Sequence, residues 1–310
     1  MRKRVAIIGL GLIGGSIALG LRRQKIEVVA FDRNKESLIE GLRLGVTDRS
    51  ADSIAEAVTG ANLVIIAVPV LAMASVLKEI KACGYAGLMT DVGSVKQPVL
   101  EEFIAVYGEV PDQFVPGHPI AGSEKHGVSA AYESLFRQHR VLLTPLDNTD
   151  QIAVQEVRQL WQSLGAEVSL LTVEHHDSVL AQTSHLPHLL AYALIDTLSG
   201  QGDSLEIFEY AAGGLRDFSR IAASDPTMWR DIFMSNRGPL LAILDQYSQD
   251  LSELRSVIEA GDGNELFDRL SRSKAARDHF SSLLQQRHEQ PQLSSELSSE
   301  LALKAPGEDK

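Results

Sequence analysis

The sequence predicts an α/β domain built around a parallel β-sheet, followed by an all-α helical domain. Two observations support this fold class. Up to about residue 172, short apolar runs rich in β-branched residues alternate with helical stretches, the rhythm of strand–helix–strand units with right-handed crossovers. Beyond that point the apolar residues recur only with helical periodicity. We therefore expect a first domain at 1–172, a helical domain at 173–288 and a flexible polar tail or linker at 289–310.

The predicted strands are continuously apolar, as strands buried on both faces of a parallel sheet must be. They are VAIIGL (5–10), EVVAFD (27–32), NLVIIAV (62–68) and LMTDV (88–92). Further strand candidates are FVPGHPI (114–120), RVLLTP (140–145) and EVSLL (167–171). In the second domain, Asp225 and Pro226 are typical of a helix start, with an N-cap side chain before a proline. The amphipathic helices there are expected to pack against one another or against a second subunit.

Composition excludes several classes of protein. The net charge of −12 argues against nucleic-acid binding, which needs concentrated Lys and Arg. Cys83 is the only cysteine and cannot form an intramolecular disulfide, so we expect a reducing, cytoplasmic location. The opening MRKRVAIIGLGLIGGSIALGL has the charge and apolarity of a signal peptide, but it lacks a cleavage site and leads directly into another predicted strand. We therefore expect neither export nor a membrane span.

A glycine-rich motif follows the first predicted strand and opens the first predicted helix. Its residues are Gly9, Leu10, Gly11, Leu12, Ile13 and Gly14. The first glycine permits a tight turn, the second lets the backbone approach a pyrophosphate, and the third allows close packing of helix on strand. Asp32 ends the second predicted strand about twenty residues later, where an acid can accept hydrogen bonds from ribose hydroxyls. The sequence therefore predicts a Rossmann-type dinucleotide-binding domain.

Asp32 favours NAD over NADP, because a 2′-phosphate would meet its negative charge. The neighbouring Arg33 could accommodate that phosphate, so NADP stays possible as the cofactor. The AVPV segment places Val68 and Pro69 after a third strand, at the carboxyl edge of the sheet where ligands of such folds bind.

Catalytic candidates follow two further strands at the same edge. His118 stands before a proline at the end of a predicted strand, on backbone that the ring holds extended, and is either a general base or a structural histidine. In DVGSVK, Ser94 and Lys96 contact substrate or nicotinamide, or else Asp91 and Ser94 form a turn that caps the next helix.

The helical domain contributes a second set of candidates. In SHLPH, His185 and His188 can share a helix face unless Pro187 kinks it, but no third ligand has suitable spacing, so no metal is predicted. Asp217 and Arg220 are three residues apart. They form either a surface ion pair or, in a cleft, a site where Arg220 offers two parallel donors to a carboxylate.

These motifs, in this order and spacing, resemble the prephenate/arogenate (cyclohexadienyl) dehydrogenase family of tyrosine biosynthesis. The resemblance runs from about residue 4 to about residue 285 and rests on GLGLIGGSIA, AVPV, DVGSVK, GHPIAGSE, SHLPH and GGLRDFSRIAASDPTMWRDIF, the last followed by Asn236. It implies NAD(P)-dependent oxidation of a cyclohexadienol with loss of CO₂ and without a metal. It also implies a homodimer formed through the helical domain, and leaves prephenate or arogenate, and inhibition by tyrosine, undecided.

The same resemblance implies roles for individual residues. His118 would accept the proton of the ring hydroxyl or hydrogen-bond it, and Ser94 would orient the histidine or the hydroxyl. The other substrate-site residues would be Arg220 on a carboxylate, Asp217 and Glu124 in an ionic network that controls access, and His188, Trp229 and His185 around the substrate side chain.

Two alternatives stay open on the sequence alone. Dehydrogenases of the β-hydroxyacid type carry a catalytic lysine on the first large helix after the Rossmann domain, whereas no lysine lies between Lys125 and Lys274 here. A non-enzymatic dinucleotide sensor would keep the glycine motif but would not need His118 and Arg220 in one cleft.

Overall fold

The computed structural model describes residues 3–122, 125–200 and 204–302. The strands are β1 (Arg4–Ile8), β2 (Glu27–Phe31), β3 (Arg49–Ser50), β4 (Leu63–Ile66), β5 (Leu88–Asp91), β6 (Phe114–Val115), β7 (Gly117–Ile120), β8 (Arg140–Leu143) and β9 (Glu167–Leu170). The helices are α1 (Leu12–Arg23), α2 (Lys35–Arg43), α3 (Ile54–Val58), α4 (Met73–Ala82), α5 (Gln97–Tyr107), α6 (Gln151–Ser163), α7 (Val173–Leu180), α8 (Leu186–Ser199), α9 (Ser204–Glu209), α10 (Gly213–Ser219), α11 (Pro226–Ser235), α12 (Arg237–Glu259) and α13 (Gly263–Ala302). Short 3₁₀ segments occupy Val70–Ala72, Val128–Ala130 and Arg220–Ala223, and a π-helical turn spans Ala181–His185.

A parallel sheet with the strand order β3-β2-β1-β4-β5-β6 forms the centre of the first part of the chain. This is the doubly wound order of a Rossmann fold, so the fold class predicted from the sequence is confirmed. The chain leaves β1 and β4 at the point where the strand order reverses. In sheets of this kind ligands bind in the crevice outside that point, at the carboxyl ends of the strands.

Both faces of the sheet are covered, which explains why its strands read as unbroken apolar runs. Ala6 and Ile8 of β1 pack on one side, in a cluster with residues of α3, α4 and α5. Val5 and Ile7 pack on the other side, in a cluster with residues of α1 and α6. Each such aliphatic side chain contributes about 1.5–3 kcal/mol when fully buried, so a polar residue in these runs would be costly.

The segment predicted as one strand at 114–120 is two strands in two sheets. β6 closes the parallel sheet, whereas β7 pairs antiparallel with β8, which in turn pairs parallel with β9. Pro116 separates them, because a proline has no N–H to donate to a strand ladder. His118 therefore lies in β7, just beyond the carboxyl end of β6. The polar, two-residue β3 at the sheet edge was not predicted.

The chain is helical after β9, as predicted. It divides into two compact units, one ending at Leu244 and the other beginning at Asp245, and every site residue discussed below belongs to the first unit. The domain boundary at residues 172 and 173 stays a prediction. Helix α13 continues to Ala302, and the flexible tail or linker at 289–310 also stays a prediction. Its Leu, Glu, Gln and Ala residues favour helix even where little apolar surface can be buried. Across the described ranges, no helix combines the length and apolarity needed to cross a membrane.

Candidate functional site

The glycine motif forms the turn between β1 and α1. Gly9 has a positive φ of 101°, and a Cβ at this position would collide with the carbonyl group of Ala67. A Cβ at Gly14 would collide with the carbonyl oxygen of Gly9. By contrast, a Cβ at Gly11 would meet nothing within 4 Å, so open space lies beside the second glycine. The first and third glycines thus serve the turn and the helix packing that their spacing predicts, and the space at Gly11 leaves its predicted role in ligand approach open.

The start of α1 offers backbone donors to this open space. Gly11 is the N-cap and makes no side-chain capping hydrogen bond. The first N–H groups of a helix, here those around Leu12 and Ile13, have no partner within the helix. With the positive end of the helix dipole they give the features that a phosphate group favours.

A cleft of about 220 Å³ opens above this turn. The predicted cofactor residues in its wall are Gly9, Gly11, Asp32, Arg33, Val68 and Pro69. Ser75 and Glu79 of α4 also line it and were not predicted. Asp32 Oδ2 accepts the Leu10 N–H at 2.7 Å and Oδ1 accepts the Asn34 N–H at 2.8 Å. The carboxylate therefore holds the glycine turn against β2, and it keeps further lone pairs for a ribose, since it can accept about four hydrogen bonds.

A buried ion pair supports the backbone at His118. The side chains of Lys96 and Asp91 are fully buried, with Lys96 Nζ 2.5 Å from Asp91 Oδ2. Lys96 Nζ also donates to Gly117 O at 2.7 Å, and Gly117 N–H donates to Asp91 Oδ1 at 3.0 Å. Hydrogen bonds thus hold both the N–H and the carbonyl group of Gly117, the residue before His118. The proposed contact of Lys96 with substrate or nicotinamide is wrong, because the side chain is enclosed and fully engaged.

His118 forms a hydrogen bond with a residue that the sequence analysis missed. Its Nδ1 lies 2.9 Å from Nε2 of His176 in α7, and His176 Nδ1 lies 2.7 Å from Oδ1 of Asp177. His176 is fully buried, and His118 is 9% exposed. The ring partner of His118 in the described chain is therefore His176 and not Ser94, which lies half-buried in the loop after β5.

Asp177 connects this histidine pair to the start of α5. Its Oδ1 accepts the Lys96 N–H and its Oδ2 accepts the Gln97 N–H, both at 2.9 Å. Asp177 therefore caps α5 from another helix, which corrects the alternative in which Asp91 and Ser94 would cap it. Asp91 does form the expected turn, since its Oδ2 accepts the Gly93 N–H.

The electrostatics of this group favour a neutral histidine beside an ionised acid. Burial lowers the pKa of His118 well below its usual range, and repulsion from His176, Lys96 and His185 adds to the shift. Burial alone would raise the pKa of Asp177. The hydrogen bonds from His176 and from the Gln97 and Lys96 N–H groups outweigh that effect, so the pKa of Asp177 is lowered. His118 is therefore unprotonated at neutral pH and can accept a proton.

A second group of predicted residues gathers around Trp229. The His188 ring stacks on the indole with 3.7 Å between ring centroids. Burial lowers the pKa of His188, and the nearby charge of Arg220 lowers it further, although the hydrogen bond to Ser184 O acts the other way. Among the described residues the buried Trp229 Nε1 has no hydrogen-bond partner. An exposed arginine, a histidine and this indole N–H thus lie together, and their donors suit an anionic ligand.

Apolar contacts join this group to the cofactor cleft and to the loop after β5. Trp229 packs with Val95, next to Lys96, and with Val70, next to Pro69 of the cleft wall. Residues that follow two strands, β4 and β5, therefore meet α11 at the carboxyl edge of the sheet. The residues around Trp229 therefore lie next to the wall of the cofactor cleft.

His185 is more enclosed than its predicted role suggests. It is 1% exposed, and its Nδ1 lies 3.0 Å from Nδ2 of Asn236, which also donates to Asp177 O at 2.8 Å. The π-helical turn that ends at His185 lies just before Pro187, where the missing N–H interrupts a regular helix. Asn236 therefore links His185 to the backbone of Asp177, and the His185 ring lies edge-on to Trp229 with 6.2 Å between ring centroids.

The ion pair of Asp217 differs from the one that the spacing predicted. Asp217 is exposed, and its ion pair in the described chain is with Arg216 at 3.7 Å, not with Arg220. An exposed acid pairs with whichever neighbouring cation reaches it through solvent, which spacing does not specify. Glu124 lies outside the described residues. Within those residues no group of His, Cys, Asp or Glu side chains could hold a metal ion.

One sequence signal could have identified His176 and Asp177. The buried residues of α7 include Val173, His176, Asp177 and Leu180, at the i, i+3, i+4, i+7 spacing of an apolar helix face. A histidine and an aspartate on that face are buried polar groups, which need partners and so point to a functional or structural network.

Two models of protein families match this chain. The family model described as the nucleotide-binding domain of prephenate dehydrogenase matches residues 17–170. The model described as the prephenate dehydrogenase dimerization domain matches residues 172–272. Together the two matches cover most of the chain.

Individual relatives are similar over nearly the whole chain. A cyclohexadienyl dehydrogenase of Zymomonas mobilis is 38% identical, covering 89% of this chain and 95% of the relative. A prephenate dehydrogenase of Bacillus subtilis is 38% identical, covering 90% of this chain and 76% of the relative. The crystal structure of prephenate dehydrogenase from A. aeolicus, in complex with hydroxyphenyl propionate and NAD+, superposes with a TM-score of 0.84 at 34% identity, covering 90% of this chain and 99% of that one.

Proposed function

This chain belongs to the prephenate dehydrogenase family, and from that premise we propose that it converts prephenate to 4-hydroxyphenylpyruvate by NAD-dependent oxidative decarboxylation. The chain is an NAD-dependent oxidoreductase, and arogenate, which would give tyrosine, is the alternative substrate. The observation that carries the proposal is the buried, neutral His118 at the carboxyl edge of the sheet that also bears the dinucleotide cleft. Neither a β-hydroxyacid dehydrogenase nor a non-enzymatic sensor is favoured.

The residues of the cleft fit NAD+. The open space at Gly11 and the free N–H groups at the start of α1 suit a pyrophosphate, and Asp32 suits a ribose. NAD+, when bound, supplies the acceptor for a hydride. The negative charge of Asp32 favours NAD+ over NADP+, although Arg33 shares the cleft wall.

In this proposal His118 is the general base. Its Nε2 takes the proton of the substrate hydroxyl group while a hydride leaves the ring carbon that bears this group. The hydroxyl group thereby becomes a carbonyl. The bond to the ring carboxylate then breaks, its electron pair restores the aromatic ring, and CO₂ departs. The proton returns to the phenolate oxygen. Because aromatisation drives the loss of CO₂, these residues need to supply only proton transfer and orientation, the former contributing about 10²–10⁴ in rate.

The remaining residues would bind the substrate. Arg220 would hold a carboxylate with two parallel donors, and the exposed position of its side chain beside His188 supports this role. His188 and the unpaired Nε1–H of Trp229 would contact the substrate side chain. Ser94 would orient the hydroxyl group. His185 would support the site through Asn236, and roles for Asp217 and Glu124 in substrate access belong to the same proposal.

We also propose a homodimer formed through the helical part of the chain. Residues 172–272 match a dimerization domain, and large apolar side chains after residue 244 are exposed in the single chain. Ile258 is 63% exposed, Phe267 68% and Leu270 59%. Exposed apolar surface of this kind is typical of an interface between subunits.

The test of the function is an assay of NADH or NADPH formation with each substrate and each cofactor, with and without tyrosine. We expect turnover with prephenate and NAD+. Faster turnover with arogenate would reassign the substrate, and a loss of rate on adding tyrosine would establish inhibition by the product's relative. Absence of turnover in every combination would contradict the proposal.

A further inference from the structure

We propose that Asp177, acting through His176, sets the tautomer of His118 and thereby leaves Nε2 of His118 as the proton acceptor. His176 and Asp177 are positioning residues in this proposal, since neither needs to contact the substrate. The inference rests on the proposed role of His118 as the base. Its test has a readout that does not depend on turnover.

The first step is the hydrogen bond between Asp177 and His176. An ionised carboxylate can only accept, so the nitrogen 2.7 Å from Asp177 Oδ1 must donate, and His176 carries its proton on Nδ1. A neutral imidazole has one N–H. The other ring nitrogen of His176, Nε2, is therefore a hydrogen-bond acceptor.

The second step is the hydrogen bond between His176 and His118, which determines the protonated nitrogen of His118. Its Nδ1 lies 2.9 Å from the accepting Nε2 of His176, so this nitrogen must carry the hydrogen. The lone pair of His118 is then on Nε2, which points away from His176. In isolation both tautomers of an imidazole are accessible, and here the hydrogen bond chooses one of them.

Asp177 can impose this choice because it is itself held as an anion. Three donors converge on it: His176 Nδ1–H and the backbone N–H groups of Lys96 and Gln97. The two backbone donors open α5, whose N-terminus favours a negative charge. Asp177 is 3% exposed, so water cannot easily replace these partners.

The same connections keep both rings in place. Asn236 donates to the backbone oxygen of Asp177, and the backbone N–H and carbonyl of Gly117, next to His118, are held by Asp91 and Lys96. When His118 becomes protonated during the reaction, its Nδ1–H still points at His176 Nε2. The positive charge of His118 is then stabilised by the hydrogen-bonded chain through His176 to the Asp177 carboxylate.

The direct test is ¹⁵N NMR of the full-length protein labelled at histidine, because ¹⁵N shifts distinguish protonated from unprotonated ring nitrogens. The chain has nine histidines, and the His118 signals are those missing from the spectrum of His118→Asn. We expect His118 to be protonated at Nδ1 in the wild type. In Asp177→Leu no side-chain group accepts from His176 Nδ1, so the imposed tautomer is lost and we expect the Nε2–H form of His118 to become populated.

A comparison of two substitutions at His176 gives a second test. A glutamine reaches as far as Nε2 of histidine and can accept from His118, whereas an asparagine reaches only as far as Nδ1. We expect His176→Gln to keep kcat within about 10-fold of the wild type, and His176→Asn to lower it by about 10²–10⁴-fold with little change in KM. The neighbouring His175 is exposed, and His175→Asn is the matched control.

The outcomes separate the possibilities. An unchanged His118 tautomer in Asp177→Leu overturns the inference. If that variant does not fold, the His176 pair decides, and equal kcat values for His176→Gln and His176→Asn overturn it. Full turnover by His118→Asn would instead contradict the proposed role of His118 as the base, while a tautomer controlled by Asp177 would still stand.

Discussion

Lys96 and Asp91 form an ion pair in which both side chains are completely buried, with Nζ 2.5 Å from Oδ2. Burial lowers the pKa of Lys96, and the Asp91 carboxylate counteracts that effect. A charge left here without its partner would be very unfavourable. The pair therefore connects the loop after β5 to Gly117. Neither residue can be replaced alone without leaving a buried charge unpaired.

Removing one partner of this pair should destabilise the protein strongly. We expect Lys96→Met to lower the free energy of unfolding by about 3–5 kcal/mol, because Asp91 is left buried and unpaired. Urea denaturation monitored by circular dichroism measures the change. The control is Arg255→Met, which breaks an exposed i, i+4 pair with Glu259 and should change stability little. Similar losses in the two variants would contradict this prediction.

Replacing the proposed base should affect turnover and not cofactor binding. We expect His118→Asn to lower kcat by about 10²–10⁴-fold, since the hydroxyl proton loses its acceptor. The Kd for NAD+ should stay within about threefold, because His118 does not line the dinucleotide cleft. Steady-state kinetics and a fluorescence titration with NADH measure the two quantities. Wild-type turnover would remove His118 from the mechanism.

Arg220 should act mainly on substrate affinity. We expect Arg220→Gln to raise the KM for prephenate by about 10–100-fold, the effect of losing a charge-assisted hydrogen bond of about 1.5–3 kcal/mol. The matched control is Arg216→Gln, four residues earlier, whose side chain is exposed and paired with Asp217. Equal KM values for the two variants would mean that Arg220 does not bind the carboxylate.

Asp32 should influence both cofactor choice and the shape of the glycine turn. Asp32→Asn removes the charge that opposes a 2′-phosphate and keeps one oxygen for the Leu10 N–H, so we expect a higher ratio of NADP+ to NAD+ use. Asp32→Ser also loses the bond to the turn, so the kcat/KM for both cofactors should fall. Kinetics with each cofactor test this, and an unchanged ratio in Asp32→Asn would indicate another determinant.

The buried histidines should make stability depend on pH. Burial lowers the pKa of His185 to about 4, with further repulsion from His176 and His188 and partial compensation by Asp177. In the unfolded chain this pKa is about 6.5, so between these values the unfolded state binds more protons and stability falls as the pH falls. Urea denaturation at pH 7 and pH 5 should show a smaller loss for His185→Asn than for the wild type. The exposed His175→Asn should match the wild type, and equal losses in all three proteins would count against this assignment.

Local patterns predicted much of the structure correctly. The apolar runs and the glycine motif specify the Rossmann fold, because strands buried on both faces need unbroken apolar residues and Gly9 and Gly14 leave no room for a Cβ. Asp32 was located by its spacing alone. These features depend on residues close together in the sequence or on a repeated supersecondary unit, so they are visible without knowing the tertiary contacts.

The tertiary structure decided the features that depend on distant partners. His118 and His176 are 58 residues apart, and Lys96 and Asp177 are 81 apart. Nothing local shows that Lys96 is enclosed, that Asp177 caps α5, or that the segment 114–120 changes sheet at Pro116. The sequence by itself determined the fold class, the cofactor turn and His118 as a candidate base. Which nitrogen of His118 is free depends on two hydrogen bonds between side chains, which exist only once β7, α5 and α7 have packed together.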